Sequence, residues 1–589
     1  MAAAKPLIWE QHPHDAARSA RLAAALGVHP VIARLLCARG LADPDAAAHF
    51  LQPTLADLHD PMLLAGLPAA VARLEEAVAR KEPIAIHGDY DVDGITATVI
   101  VRRALELLGG RVTHFIPERM KHGYGLQADA IERLAAEGVR VVLSVDCGIR
   151  GADAARRARE LGVDLIITDH HEPEDALPDA LAVVNPKRHD CAYPYKDLAG
   201  VGVALKLVQA LCERAGRGRW LPAFVKIAAL GTLADVVPLT GENRVIARVG
   251  LDGLTRGPHT VGIRALLEAA GLTGKRLDSF HVGFVLAPRI NAAGRMSTAE
   301  IATRLLLATD ESLAAEARDL AAQLESENQR RQQEEASIVA EARKAIESDP
   351  AIGAHNVLVV AGEGWHRGVI GIVASKLVET FSKPAIVLSV EGEVAHGSCR
   401  SIPAFNMLGA LEQVHDVFVR FGGHRQAAGL TMEAGRVAEF RSRINAIADQ
   451  RLEPGDLVPR LRIDAPLSLK AIGKELLDGL QAMEPFGLCN ARPVFSAAPV
   501  ELADAPRIMK ERHLSMTVRQ DGRVFRAVAW RAAERAALLQ EHRQNLALAF
   551  SLDRNEYQGE TYVQLTVCDI RPMEALQWRE PCGLARANP

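Results

Sequence analysis

Three short apolar runs, each ending in acid or imidazole groups and each followed by a helical stretch, set the frame of this chain. Ile84-Ala85-Ile86 leads into His87-Gly-Asp89-Tyr-Asp91-Val-Asp93, Val141 to Val145 leads into Asp146, and Val163 to Thr168 leads into Asp169-His170-His171. Apolar residues recur at helical spacing over Ile95 to Leu108, Leu126 to Glu137 and Gly151 to Leu161, so strand and helix alternate from Ile84 to about Val184. That alternation predicts an α/β fold with a doubly wound parallel sheet. Side chains at the carboxyl ends of neighbouring strands in such a sheet converge on one crevice, where ligands bind. A lone aspartate at a strand end is as readily a helix cap as a ligand. Eight acid or imidazole groups at three successive strand ends exceed what capping explains.

The donor types narrow what would bind. Carboxylates with a few imidazoles and no thiolate suit a hard or borderline ion, manganese or magnesium, whereas structural zinc takes Cys and His at four-coordinate spacing. No CxxC pair occurs. The candidates outnumber what one octahedral ion needs, so two divalent metal ions sharing a bridging aspartate are expected, with manganese the favoured one. That arrangement serves phosphoryl hydrolysis.

The order His87-x-x-x-Asp91-x-Asp93, Asp146, Asp169-His170-His171 and then Asp235 within Gly231-Thr-Leu-Ala-Asp-Val-Val resembles the DHH phosphoesterases. Two later blocks, Gly364-Trp-His-Arg-Gly-Val-Ile-Gly-Ile-Val-Ala-Ser and Gly422-Gly423-His424-Arg-Gln-Ala-Ala-Gly, resemble the DHH-associated domain. The motif order over roughly residues 50 to 570 is similar to the branch of that family that degrades single-stranded DNA from the 5′ end. The resemblance implies that His87, Asp91 and Asp146 hold one ion, that Asp93, Asp146, His170 and Asp235 hold the other, and that Asp146 bridges them. It places His171 on the scissile phosphate and Asp169 behind the imidazoles as their orienting group. Asp89 stands where other members often lack an acid, and either supports the ligands or accepts a proton. Asp235 lies in a helical apolar run, where a capping or salt-bridge role competes with ligation.

Substrate contacts follow from the same resemblance. Ser398 and Arg400 match a segment that captures a 5′-terminal phosphate, a task suited to the bidentate guanidinium. Arg289 and Arg295 are further candidates for that pocket, with Arg119 nearer the scissile bond, and Gly422, Gly423 and His424 would let backbone approach phosphate. Each lone arginine has a bland alternative in a surface salt bridge. A turn is the ordinary reading of Gly422-Gly423.

The chain has 589 residues, enough for three or more domains. Residues 1–50 read as an Ala-rich helical extension, 51–305 as the sheet domain, and 351–456 as a smaller α/β domain. Between them Asp310 to Asp349 contains no Gly or Pro before Pro350 and predicts a long connecting helix over 306–350, about 60 Å if continuous at 1.5 Å per residue. Its charges read as a solvated face, with Arg330 and Arg331 as the pair that could line a channel. Residues 457–573 turn β-rich, with a hairpin signal at Gln520-Asp521-Gly522, and predict a small β-barrel of the OB-fold type that commonly binds single strands. Residues 574–589 read as a tail.

A net charge of −4 argues weakly against a nucleic-acid partner, because a metal site rich in carboxylates is itself acidic until the ions bind. Aromatic content of 4% suggests that a single strand would be held mainly through its backbone. Eight scattered cysteines, no apolar run of membrane length and no signal peptide fit a cytoplasmic protein, expected as a monomer. Cys147 reads as a small buried filler. The expected activity is a metal-dependent 5′→3′ exonuclease that hydrolyses single-stranded DNA to 5′-mononucleotides in recombination and repair, beside a helicase and a single-strand-binding protein. The alternatives are a phosphodiesterase for short oligonucleotides or cyclic dinucleotides, which would lack the barrel, and a non-catalytic replication scaffold, which would not need the ligands.

Overall fold

A computed structural model describes residues 7–118, 125–557, 560–576 and 578–579. They form two compact units, one of His59–Val237 with Val249–Val458, the other of Met1–Leu58, Pro238–Arg248 and Pro459–Pro589.

In the first unit the three apolar runs are strands Pro83–His87, Val141–Val145 and Asp164–Thr168 of a five-stranded parallel sheet. Their near-continuous burial is what a parallel sheet covered on both faces demands. Ala85, Val142, Leu165 and Ile167 pack on one face with Ile131 and Leu134 of helix Ala128–Ala136 and Ala154, Ala155 and Ala158 of helix Ala152–Glu160. Helices Val92–Leu107 and Gly200–Arg214 pack on the opposite one. Strand Arg111–Phe115, whose side chains alternate between partly buried and exposed, takes the edge beside Pro83–His87, and Ala182–Val184 takes the far edge. Spatial order therefore reverses between Pro83–His87 and Val141–Val145, and the crevice of a doubly wound sheet opens at such a reversal. His87 and Asp146 close those two strands.

The long helix is Ala314–Ser348, 35 residues. Its buried positions, from Ala317, Leu320, Ala321 and Leu324 to Ile338, Ala342 and Ile346, recur three or four apart, except for the neighbours Leu320 and Ala321, and make one stripe. That stripe packs on helices Val261–Ala269, Ala287–Met296 and Glu300–Leu307 at one end and on helix Ile370–Phe381 toward the other. Arg331 departs both from the expected solvated face and from the alternative of a channel. It is buried within the stripe, with Nη1 2.6 Å from Glu335 and Nη2 donating to Asn328 at 3.0 Å.

Beyond the helix lies a mixed five-stranded sheet in the order Phe418–Gly423, Ala427–Glu433, Val394–Arg400, Ala385–Glu391, Leu358–Glu363. Alternate residues of its strands face two cores. Val359, Ile386 and Leu388 meet Phe440 and Ile444 of helix Val437–Arg451, while Leu358, Val360 and Val387 meet Ile338, Val373 and Leu377. Gly422 and Gly423 end an edge strand here.

The second unit is a barrel. Strands Phe495–Leu502, Leu546–Tyr557, Glu560–Pro572, Arg523–Ala529 and His513–Gln520 pair in that order, and pairing of Glu501 and Leu502 with Arg519 and Val518 closes the ring. The N-terminal segment is more than the expected helical extension. Strand Ile8–Gln11 pairs in parallel with Arg460–Ile463, and Leu22, Ile32, Leu35, Leu36 and Phe50 share one core with Leu480, Phe495, Leu548 and Phe550. Among the described residues no single helix is long and apolar enough to cross a membrane. The bent pair Ala16–Leu26 and Pro30–Ala38 is apolar enough, and its apolar residues are spent on this core. Truncating a fully buried side chain of that kind costs about 2–5 kcal/mol. Leu36→Ala should therefore lower barrel stability, seen as faster amide exchange in Leu546–Phe550. Unchanged exchange would place the N-terminal helices outside the barrel's cooperative unit.

Candidate metal centre

Strand Pro83–His87 delivers His87 buried at its carboxyl end, and the chain turns directly into helix Val92–Leu107. Asp91 caps that helix, accepting from the Gly94 N–H at 3.1 Å, and the Asn291 carbonyl oxygen Oδ1 accepts from Val92 N at 3.1 Å. Asp93, in the first turn, is held by the N-terminus of another helix: its two oxygens accept from Gly200 N and Val201 N, both at 2.7 Å. The helix dipole and two amide donors fix this carboxylate without using a cationic side chain. Asp146 follows its strand in the left-handed region at φ 60°, a conformation that is uncommon outside glycine but several-fold enriched at aspartate. Gly200 leaves room for it, since a Cβ there would stand 2.2 Å from Asp146 Oδ1.

Asp169 organises the third strand end. It accepts from the backbone N–H groups of Ile149, His170 and His171 at 2.9, 2.7 and 3.1 Å and contacts His171 Nδ1 at 2.7 Å. His170 reaches the opposite way, with Nε2 3.3 Å from Asp146, 3.8 Å from Asp93 and 3.8 Å from Asp235. Asp235 caps the carboxyl end of helix Leu221–Ala234. A carboxylate there opposes the helix dipole, so its placement is poor as a stabilising cap and apt for attracting a cation.

Burial, then the charges of Asp235 and Asp91, push the Asp93 carboxyl well above the usual range. Burial followed by Asp93, Asp91 and Asp89 does the same to Asp146. Asp91 is raised too, burial outweighing the Gly94 hydrogen bond. Asp169 moves the other way, because its bond to His171 and the surrounding amides outweigh burial. Burial would lower His171, but its hydrogen bond to Asp169 and the charges of Asp169 and Asp235 raise it above the ordinary imidazole value. His170 falls to about 4 through burial and the neighbouring His171, which leaves the neutral imidazole that binds metals.

The donor set fits divalent ions. Asp146 Oδ1 and Asp235 Oδ2 are buried and accept no hydrogen bond. Ligand atoms of Asp93, His170 and Asp235 lie within 4.8 Å of one another, as do those of Asp146, His170 and His171, and those of Asp89, Asp91 and Asp146. Of the four residues expected at the second ion, Asp93, His170 and Asp235 converge as one group, while Asp146 groups with His170 and His171 and also with Asp91 and Asp89. The His87 ring packs edge-on to Phe115, with Nδ1 3.6 Å from Cys147 Sγ. Cys147 is a buried filler as expected, its thiol pushed well above its ordinary range by burial and then by Asp89.

Ser398, Arg400, Gly422 and Gly423 line one cavity of about 530 Å³ together with Tyr90, the residue between Asp89 and Asp91. Arg400 Nη1 donates to Ser398 Oγ at 3.2 Å and to the Cys399 carbonyl at 2.8 Å. Arg367 and Arg420 line the cavity as well, and no sequence signal singled them out. His424 lines a separate cavity of about 350 Å³ with Asp169, His171 and Arg150. Arg295 Nη1 donates to the Gly368 carbonyl at 3.1 Å, on the segment before helix Ile370–Phe381. Arg289 departs from the expectation of a substrate contact: its Nε donates to Glu325 at 2.6 Å and its Nη1 to the Val285 carbonyl at 2.7 Å, tying its helix to the long one. Arg119 lies outside the described residues.

A buried carboxylate and imidazole cluster at the switch point of this sheet, faced by an arginine-lined cavity, defines a metal-dependent phosphoesterase of the DHH class. The model of the DHH family N-terminal domain matches residues 83–232, that of the DHHA1 domain residues 354–450, and that of the RecJ OB domain residues 463–569. The single-stranded-DNA-specific exonuclease RecJ of Bacillus subtilis is 37% identical over 577 residues, covering 97% of this chain and 72% of that protein. RecJ of Thermus thermophilus in complex with Mn2+ superposes with a TM-score of 0.82 at 34% identity, covering 97% of this chain and 80% of that one. The same protein with Mg2+ gives 0.76 at 32% identity, covering 97% and 79%. The chain belongs to the RecJ family of single-stranded-DNA-specific exonucleases.

Burial and neighbouring carboxylates raise the proton affinity of Asp93 and Asp146, so protons compete with ion binding there. Manganese affinity, followed by calorimetric titration across pH, should therefore weaken as pH falls. Affinity independent of pH would contradict the raised carboxyl values.

Proposed function

We propose that this exonuclease works from the 5′ end of single-stranded DNA and releases 5′-mononucleotides, with two divalent ions, manganese favoured and magnesium competent, as its cofactors. One observation carries the polarity: Tyr90, flanked by the acids Asp89 and Asp91, lines the same cavity as Ser398 and Arg400. A pocket for a terminal phosphate thus adjoins the loop that carries the acids.

In this reading Asp93, Asp146, His170 and Asp235 hold one ion, and Asp91 and Asp146 hold the other with His87 and the adjoining Asp89. When bound, the ions acidify water and neutralise phosphate charge. The protein's own groups do the rest. His171, whose proton affinity Asp169 raises, offers a donor to the scissile phosphate, and His424 borders the same cavity as that pair. Ser398 and Arg400, with Arg295 and the backbone at Gly422 and Gly423, receive the terminal phosphate, whose extra charge an internal phosphodiester lacks. The barrel binds the trailing strand. A phosphodiesterase for dinucleotides would have no use for that barrel, and a scaffold no use for the complete ligand set. Action beside a helicase and a single-strand-binding protein, in the cytoplasm and as a monomer, completes the proposal and is supported by family membership.

Asp146→Ala should abolish hydrolysis and leave most single-strand affinity, measured by anisotropy. Equal loss of both would remove Asp146 from its bridging role. Arg400→Ala should slow cleavage of 5′-phosphorylated strands by roughly tenfold to a hundredfold, the worth of a charge-assisted contact of about 1.5–3 kcal/mol, and narrow the gap to 5′-hydroxyl strands. Equal slowing on both ends would mean that Arg400 supports the channel without reading the end, and degradation from the 3′ end would overturn the polarity.

A further inference from the structure

The chain has 14 Phe and 5 Trp residues. Among the described residues, Phe280, Phe284 and Trp530 are the exposed ones, 56%, 72% and 57% accessible. Two of these three stack on each other, ring centroids 5.1 Å apart at an interplanar angle of 23°. Phe284 sits on a single π-helical turn, His281–Leu286, and Phe280 directly precedes it; the turn's inner side chains Val282 and Leu286 are fully buried. π-Helical turns recur at functional sites.

Position gives the pair its meaning. The turn packs on helix Leu221–Ala234, and a Cβ at Gly283 would stand 3.8 Å from the Leu233 carbonyl, two residues before Asp235. Directly after Asp235, Val236 is 82% accessible. A flat apolar platform thus lies beside the helix end that carries a metal-cluster acid. Leaving that much apolar surface in water is unfavourable unless something covers it.

We propose that Phe280 and Phe284 form a stacking platform for the unpaired bases of the DNA strand next to the cleavage site, an inference that rests on the exonuclease reading above. Every base has a π face, so the contact is indifferent to sequence. In a duplex those faces are buried between base pairs, so the platform favours single strands without any steric gate. It also adds base contact where the low aromatic content suggested backbone contact alone.

Steady-state hydrolysis of a 5′-phosphorylated oligonucleotide tests this with the full chain and manganese. The Phe280→Ala/Phe284→Ala double variant should raise KM about tenfold, with kcat changed far less, and Phe284→Trp should keep KM near the parent's. A short abasic stretch moved along the strand should raise the parent's KM at one register and leave the double variant's unaltered there. A double variant with the parent's KM, as expected if the pair docks another protein, would overturn the platform, and so would equal sensitivity of both enzymes to every abasic register. If the parent itself leaves single strands intact, the exonuclease reading falls and the platform with it.

Discussion

Burial of mutually repelling carboxylates at one sheet edge is the constraint on which the rest of this protein turns. Asp93 and Asp146 are almost fully withdrawn from water, and Asp91 and Asp235 stand close enough to raise the proton affinity of the cluster. Their own chain answers with backbone amides at Asp93 and Asp91, a left-handed φ at Asp146 and a neutral imidazole at His170. These devices fix positions without cancelling charge. A buried charge must be paired or bind metal, and the cluster is thus a frame whose electrostatic balance comes from cations.

Two histidines adjacent in sequence divide the labour around that frame. Asp169 takes its amide donors and the His171 ring, stays ionised, and raises the proton affinity of His171. His171's raised pKa means this pairing is fully present below pH 6.5 and is lost as pH rises through the raised value. Asp169, depressed below 3.8, contributes above that pH and loses its contribution as acid titrates it. His170 points into the carboxylates and stays neutral. In the proposed function, one strand end thereby supplies both a ligand and a phosphate donor.

Much of this site was legible because its side chains follow short apolar runs directly, and parallel topology converts such positions into a single crevice. Asp235 was legible only as a motif member, since its helical context hides that it sits at a carboxyl terminus, where a cap gains nothing. The arginines were least legible. Arg400 and Arg289 look alike in sequence, yet one lines a cavity and the other is paired with Glu325, a difference set by helix packing across residues far apart in the chain. Arg331 is buried where a solvated face was expected, and its partners Asn328 and Glu335 lie on its own helix. The backbone donors of Gly200 and Val201 carry no residue-type signal, and the role of Leu22 and Leu36 in the barrel core depends on contacts across more than 400 residues.

The measurement that reaches furthest is anomalous diffraction at the manganese edge from crystals of this protein soaked in Mn2+. The account predicts two peaks, one enclosed by Asp93, Asp146, His170 and Asp235 and one beside Asp91, with Asp146 between them. A single peak, or peaks away from Asp146, would contradict a cluster built around a bridging carboxylate.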